Sequence, residues 1–424
     1  MTGLLGSLQS ARTGMSVSQA SIQTTSHNIN NMNTPGYSRQ KVEQSARSAY
    51  SYPGYNSTLG AGQLGTGVEA TDITRIRNTF YDFQFRSESH NYGEIEIKYD
   101  HYTTMETIFN EPSENGISAS INNFFTSWQE LSKNPKDKGS KDIVIQNSDY
   151  LSKKISQVYN KLDNLSESAQ IKLNENIKEI NGKLDQLKEL ERHIKLVQGS
   201  GKSPNDLLDE RDKILDDLSF KMNIQDENVQ KLLKEKLENG KDITEADLKG
   251  IKGVSGEIKG SLDMIEKIKG FKDNVKKLAE GITDNVNKTL GIDFFEVGDK
   301  PILKVKDDIL SKKTDINISS ETAQKMYKLK DEKVSIGGEN MTINNFYNDI
   351  IQRLGNETQE VIRNEKNQSK ILKDVDNSRL NVSGVTLDEE MINLVQFQHA
   401  YNASAKVIST IDSLLNVVIN GLIR

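Results

Sequence analysis

The sequence predicts a mainly α fold, in which paired terminal coiled-coil helices attach to a long helical-bundle domain with small β elements. Three observations predict it. Both ends carry stripes of apolar and small residues in steps of three and four. Both ends are also nearly free of charge: Arg12 is the only Lys, Arg, Asp or Glu before Arg39, and after Glu390 only Lys406, Asp412 and Arg424 remain, in a chain that is 27% charged. Between the ends, apolar residues recur at helical spacing over stretches far longer than a strand. A water-facing helix normally carries Lys and Glu on its outer side. These two carry Ser, Thr, Asn and Gln there, which suits helices that touch protein on most sides and a chain built to assemble.

The first helix is expected over 3–31. Leu8, Ala11, Met15, Ser18, Ile22, Thr25 and Ile29 form its seam, with Leu8, Met15, Ile22 and Ile29 as the larger packing residues and small residues allowing close approach. It stops at Asn30-Asn31-Met32-Asn33-Thr34-Pro35-Gly36, because Asn tolerates left-handed geometry, Pro35 pushes Thr34 out of the helical region and Pro-Gly favours a turn. Short strands are expected at 41–43 and 68–76. Gly60, Gly62, Gly65 and Gly67 lie between them and lack the Gly-Lys-Ser/Thr ending of a phosphate loop, so they read as loop and turn.

Helical spacing returns over 79–109 and again over 116–132, where Ile121, Phe124, Phe125, Trp128 and Leu131 share a face. A helix over 141–162 is expected to lead into another over 166–197. In the second, Leu173, Ile177, Ile180, Leu184, Leu187 and Ile194 keep a heptad, a rod-like antiparallel bundle pattern. A further helix is expected from 204 to 222. The segment 223–256, rich in Lys, Glu and Gly, reads as a small exposed insertion. Helices come next over 262–290 and 344–377, with strands expected at 302–305, 334–336 and 341–343.

The last helix has the clearest start. Thr386-Leu387-Asp388-Glu389 matches a capping box, and Asp388, Glu389 and Glu390 complement the positive end of the helix dipole. Its seam is expected to read Leu387, Met391, Leu394, Gln398, Tyr401, Ala405, Ile408, Asp412, Leu415, Ile419, Leu422. Nine of these eleven are apolar or aromatic, too many for chance at 34% hydrophobic content, so the stripe is a packing surface. The organisation expected is a discontinuous core of 1–40 with 385–424, a rod of 41–222 with 257–384, and the insertion 223–256.

Composition excludes several functions. A net charge of −6 offers no basis for nucleic-acid binding. The absence of cysteine removes disulfides, thiolate metal sites and cysteine nucleophiles. No run of about 18 apolar residues exists to cross a membrane, and the N-terminus lacks the pattern of a cleaved secretory signal. His27, His90, His101, His193 and His399 are scattered and fit no metal spacing. Asp206, Glu210 and Lys213 alternate in sign at helical steps and read as surface pairs, not as paired catalytic carboxylates. No Gly-x-Ser-x-Gly elbow is present. No cofactor, metal or enzymatic activity is expected.

Five stretches together resemble the flagellar hook-associated protein 1 family. His27-Asn28-Ile29-Asn30-Asn31 with Asn33-Thr34-Pro35-Gly36-Tyr37-Ser38-Arg39-Gln40 is similar to the signature of flagellar axial proteins in general. The segment 65–77 with Phe80 resembles the next stretch of chain in this group. Ser203-Pro204-Asn205-Asp206-Leu207-Leu208-Asp209-Glu210-Arg211-Asp212 is more specific to the junction protein. Gly256-Glu257-Ile258-Lys259-Gly260-Ser261-Leu262 with Asn287 and 291–295, and Ser383-Gly384-Val385-Thr386-Leu387-Asp388-Glu389-Glu390-Met391 with Gln398-His399-Ala400-Tyr401, resemble the second half and the C-terminal signature.

The resemblance implies a structural, non-catalytic part of the bacterial flagellum, outside the cell at the hook–filament junction and exported by the flagellar type III apparatus. The partners it implies are the hook protein, the second hook-associated junction protein, copies of itself in a ring, and an export chaperone on the C-terminal helix. Another axial position, in hook or distal rod, is the alternative. The chain departs from larger members at 223–255, where the β-rich outer domains of those members are missing.

Overall fold

The computed structural model describes residues 2–48, 65–251, 253–311 and 318–421. Gly60 and Gly62 of the glycine run, and Leu422 of the predicted seam, lie outside them. The long elements are α1 (Thr2–Asn30), α2 (Thr79–Phe109), α3 (Ile117–Lys133), α4 (Lys138–Gly199), α5 (Asn205–Lys221), α8 (Gly256–Leu290), α11 (Ile343–Ser383) and α12 (Leu387–Gly421). Shorter ones are α6 (Glu227–Asn239), α7 (Glu245–Lys249), α9 (Asp307–Leu310) and α10 (Ser320–Lys328). Three antiparallel hairpins complete the described residues: β1 (Gln40–Ala46) with β2 (Val68–Arg75), β3 (Phe295–Val297) with β4 (Leu303–Val305), and β5 (Val334–Ile336) with β6 (Glu339–Met341). No described helix is long and apolar enough to cross a membrane.

Two expectations are corrected. The helices expected over 141–162 and 166–197 are one helix of 62 residues, about 93 Å long at roughly 1.5 Å per residue. Asp163-Asn164-Leu165 offers neither Pro nor Gly to break it, and Leu162, Leu165 and Ala169 carry its packed stripe across the gap. The 223–256 segment is not solvent-exposed along its length. Val229, Ile243, Leu248 and Val254 are buried with Leu173, Ile177 and Leu184 of α4, because a few apolar residues suffice when a long helix already offers a seam.

The rod holds two hydrophobic clusters, and α4 runs through both. One contains Trp128, Phe124, Phe125, Phe294, Phe295 and Tyr347, with edge-to-face aromatic pairs such as Phe124 and Trp128 at 6.2 Å between centroids. The other joins the C-terminal part of α4 to α5, α6, α7 and the start of α8. Where α2, α5 and α8 converge, glycine permits close approach. A Cβ on Gly260 would lie 2.7 Å from the Glu94 carbonyl oxygen, and one on Gly93 would collide with the Phe220 carbonyl.

Candidate assembly interface

α1 and α12 pack antiparallel along their length: Asn28 meets Glu390 near the rod, and Gly14 faces Ser404 farther out, where an added Cβ would stand 3.3 Å from the Ser404 hydroxyl. On α1 the buried stripe is Val17, Ser18, Ser21, Thr24, Thr25 and Asn28, all small except Asn28 and Val17. On α12 the covered positions are Glu390, Leu394, Phe397, Tyr401, Ser404, Ile408, Ile411, Leu415 and Val418, in alternating steps of four and three.

This seam corrects half of the predicted one. Leu394, Tyr401, Ile408 and Leu415 are in it. The other line is mostly rotated by one residue: Glu390, Phe397, Ser404, Ile411 and Val418 are covered, Met391, Gln398, Asp412 and Ile419 are exposed, and Ala405 is half-buried beside Ser404. Leu387, Met391 and Ile419 are 43%, 47% and 59% exposed. The physical reason is Glu390, a charged residue that pattern reading sends to solvent but that is almost fully buried against Asn28 on α1 and Arg39 just before β1. Leu8, Met15, Ile22 and Ile29 are half-buried beside the α1 stripe. Val395, Val407, Leu414 and Val417 are exposed, so α12 carries apolar surface that its own chain leaves uncovered.

The axial signature divides in two. Asn30, Asn33, Thr34, Pro35 and Gly36 form an exposed turn, closed by Thr34 N donating to the Asn31 carbonyl at 2.9 Å. Gly36 has φ +85°, and a Cβ there would meet Lys213 Cβ on α5 at 3.3 Å. The residues around this turn face inward. Asn28 Oδ1 accepts from Tyr37 OH at 2.7 Å and from Gln40 N at 2.9 Å, while Asn28 Nδ2 donates to the Gln40 carbonyl and to Glu390 Oε2. Arg39 Nε donates to Glu390 Oε1 at 2.7 Å and Arg39 Nη1 to Glu389 Oε2 at 2.8 Å, so Glu389 serves Arg39 where the sequence predicts a capping box. Burial pushes the Tyr37 phenol well up, and Asp206, Asp209 and Glu390 push it further.

Beneath this turn, α5 presents Asp206, Asp209, Asp212 and Asp216 at steps of three and four. Asp209 accepts from Ser38 N (2.9 Å), Ser38 Oγ (2.7 Å) and Arg75 Nη1 (2.7 Å). Arg75 also reaches Asp212 at 3.0 Å, Arg86 reaches Asp216, and Arg379 on α11 reaches Asp216 at 2.6 Å while lying over the Phe85 ring. Gln40 Nε2 donates to Asp206 Oδ1 at 2.8 Å. Burial alone would raise the Asp212 carboxyl, but Arg77, Arg211 and Arg75 hold it below the usual carboxylate range. Asp206, Glu210 and Lys213 are exposed, as the sequence reading has them, but Asp209 and Asp212 on the other side of the helix are buried, and the cluster fastens the terminal segment to the rod. Asp at every third or fourth position of one helix, facing Arg75, Arg77 and Arg86, is the signal that sequence reasoning passes over.

The histidines serve local contacts. His27 lies 3.5 Å from Asp206, His90 Nδ1 is bonded to Ser255 Oγ, and His101 Nδ1 to the Ile97 carbonyl. Burial holds the His90 imidazole below its usual range. Among the described residues no three His, Asp or Glu side chains are grouped to hold a metal ion. A hollow of about 800 Å³ between α2, α8 and α11 is lined by charges that neutralise one another, such as Lys98 with Glu94 and Asp263, and Lys267 with Glu357.

Comparison with known proteins agrees with this geometry. Residues 102–232 match the family model of the flagellar hook-associated protein FlgK helical domain. Residues 8–37 match that of flagella basal body rod proteins, and 376–421 that of the flagellar basal body rod FlgEFG protein C-terminal region. The chain is 29% identical to flagellar hook-associated protein 1 of Bacillus subtilis, over 100% of this chain and 99% of the relative. It is 29% identical to the Salmonella typhimurium protein of that name, over 49% of this chain and 37% of the relative. The flagellar hook junction protein FlgK from Burkholderia pseudomallei overlays 51% of this chain and 47% of its own at TM-score 0.42 and 16% identity, a likeness too slight to bear on fold or function. With a full-length relative and a family model lying on the rod between two axial signatures, the chain is similar from end to end to the flagellar hook-associated protein 1 family.

Proposed function

We propose that this protein is a structural subunit of the bacterial flagellum that joins the hook to the filament, without catalysis. The observation that carries the reading is the charge-poor α1–α12 pair, fastened to the rod through the axial signature and still bearing uncovered apolar residues on α12. In this reading 1–40 with 385–424 form the assembly core, and 41–222 with 257–384 the rod. Copies of the protein pack side by side in a ring through Leu387, Met391 and Ile419 and through the exposed flank of Val407 and Leu414, while the seam residues Leu394, Tyr401, Ile408 and Leu415 hold the pair together.

The ring contacts the hook protein on one side and the second hook-associated junction protein on the other. The uncharged polar faces of the terminal helices line a channel through which unfolded subunits pass without sticking. The protein leaves the cell by the flagellar type III apparatus, and a dedicated chaperone covers the α12 flank beforehand. The likeness of both ends to basal body rod proteins favours, as a second reading, another axial position. The rod domain argues for the junction.

Deleting the gene in its host separates the two. Hooks without filaments, with flagellin lost to the medium, are expected for a junction protein. Absent hooks would move the protein to the rod or hook, and intact filaments would remove it from the axis.

A further inference from the structure

We propose that Asn28, Arg39 and Glu390 form a register key that fixes how far along α1 the last helix sits. The rest of the seam cannot do this. On α1 the contact positions Gly14, Ser18, Ser21 and Thr25 are small throughout. On α12 one line reads Leu394, Tyr401, Ile408, Leu415 and the other Phe397, Ser404, Ile411, Val418. Sliding α12 by seven residues keeps the Leu394–Leu415 line apolar on apolar and changes the other line only in exchanging Ser404 with Phe397 or Ile411, over α1 residues that are mostly small. One heptad is about 10.5 Å at roughly 1.5 Å per residue. Four Cα–Cα steps lead from Ser383 to Leu387 and reach about 13 Å when extended, more than one heptad, so the tether does not pin the helix by itself.

The slide fails chiefly at Glu390. It is 1% exposed, and its two carboxylate oxygens are divided between Arg39 Nε and Asn28 Nδ2. After a slide Phe397 would stand opposite Asn28. Asn28 has no freedom to adapt, because both of its side-chain heteroatoms are already bonded to Tyr37 and to both backbone groups of Gln40. One N–H of the Asn28 amide would then be buried without an acceptor, and the half-buried Arg39 guanidinium would lose both of its carboxylates, which is penalised. A single polar residue in an otherwise apolar seam sets register in coiled coils for the same reason. Asn28 and Arg39 act here as positioning residues for α12. The key rests on the α1–α12 pairing and not on the axial position, so its test and that of the junction reading fail independently.

The chain has no cysteine, so paired cysteines report register directly. In the full-length protein, Gly14→Cys with Ser404→Cys reports the native register. Gly14→Cys with Phe397→Cys or with Ile411→Cys reports a slide of one heptad either way. With Glu390 present, oxidation is expected to close 14–404 and leave the other two as traces. Glu390→Leu, which keeps the seam apolar, is expected to raise a slid cross-link several-fold at the expense of 14–404. Glu390→Gln, which keeps shape and one amide contact, should give a smaller rise. Unchanged 14–404 closure in the Leu variant overturns the key. So does loss of all three cross-links while the rod stays resistant to trypsin, since the triad would then hold the pair together without choosing its register. If the Leu variant loses the rod as well, the Gln variant decides by the same criteria.

Discussion

Replacing Asp209 by alanine removes the carboxylate on which the terminal segment meets the rod. It leaves the Ser38 amide, the Ser38 hydroxyl and one bond of Arg75 unanswered in a site where the Asp209 and Arg75 side chains are 8% and 13% exposed. Hydrogen bonds to a charged group are worth about 1.5–3 kcal/mol each. Truncating one member of a buried pair costs about 3–5 kcal/mol. Arg75 keeps Asp212 at 3.0 Å, so the lower end applies and the expected loss is about 3 kcal/mol. Asn at the same position keeps an acceptor for the Ser38 amide and should lose about half as much. Urea unfolding monitored by far-UV circular dichroism gives the difference from the midpoint and slope. A loss below about 1 kcal/mol for the alanine variant is what an exposed ion pair gives, and would refute the view of α5 as a buried fastening.

Four further outcomes are expected. Gly36→Ala places a Cβ at φ +85° against Lys213 and should cost about 1–2 kcal/mol in the same unfolding assay, whereas Pro35→Ala, on an exposed turn, should cost less. Burial, and then Glu257, hold the Glu96 carboxyl above its usual range despite a hydrogen bond from Tyr92. A raised carboxyl pKa means the folded state binds the proton more tightly, so the charge costs stability at neutral pH and the cost fades as pH falls through the raised value. Glu96→Gln should therefore unfold at higher urea at neutral pH, with the gain shrinking on acidification; a gain independent of pH would contradict the assignment. Finally, Met391→Ser should change the stability of the single chain by less than about 0.5 kcal/mol yet impair filament formation in the host. Leu394→Asp should free α12 from α1, seen as fast amide exchange at both ends while the rod remains protected.

Much of the architecture is legible in periodicity. The extents of α1, α2, α3 and α12, and the stop at Asn33-Thr34-Pro35-Gly36, come from spacing and turn chemistry that act over a few residues. What spacing does not convey is which of two apolar lines on a helix faces its own chain. Met391 and Ile419 are as apolar as Phe397 and Ile411, but the former face outward because Glu390 is drawn inward by Arg39, 351 positions earlier in the chain. The α5 carboxylates are hidden for the same reason. Their partners Arg75, Arg86 and Arg379 are spread over three elements, so their pairing is a property of the fold and not of any window of sequence. The continuity of α4 escapes pattern reading for a local reason: Asp163 and Asn164 look like a break until the stripe on either side is seen to run on through Leu165 and to share one partner, α8.

That continuity has a mechanical consequence. A helix that passes unbroken through both hydrophobic clusters is a beam, and bending it stretches backbone hydrogen bonds on one side over its whole length. Such a member does not fold at its middle under load. Compliance is left to the short spans without a helix: the turn after Gly199 and the link 384–386, where the chain crosses from rod to terminal pair. A part built this way resists bending along α4 and concentrates its give in those spans.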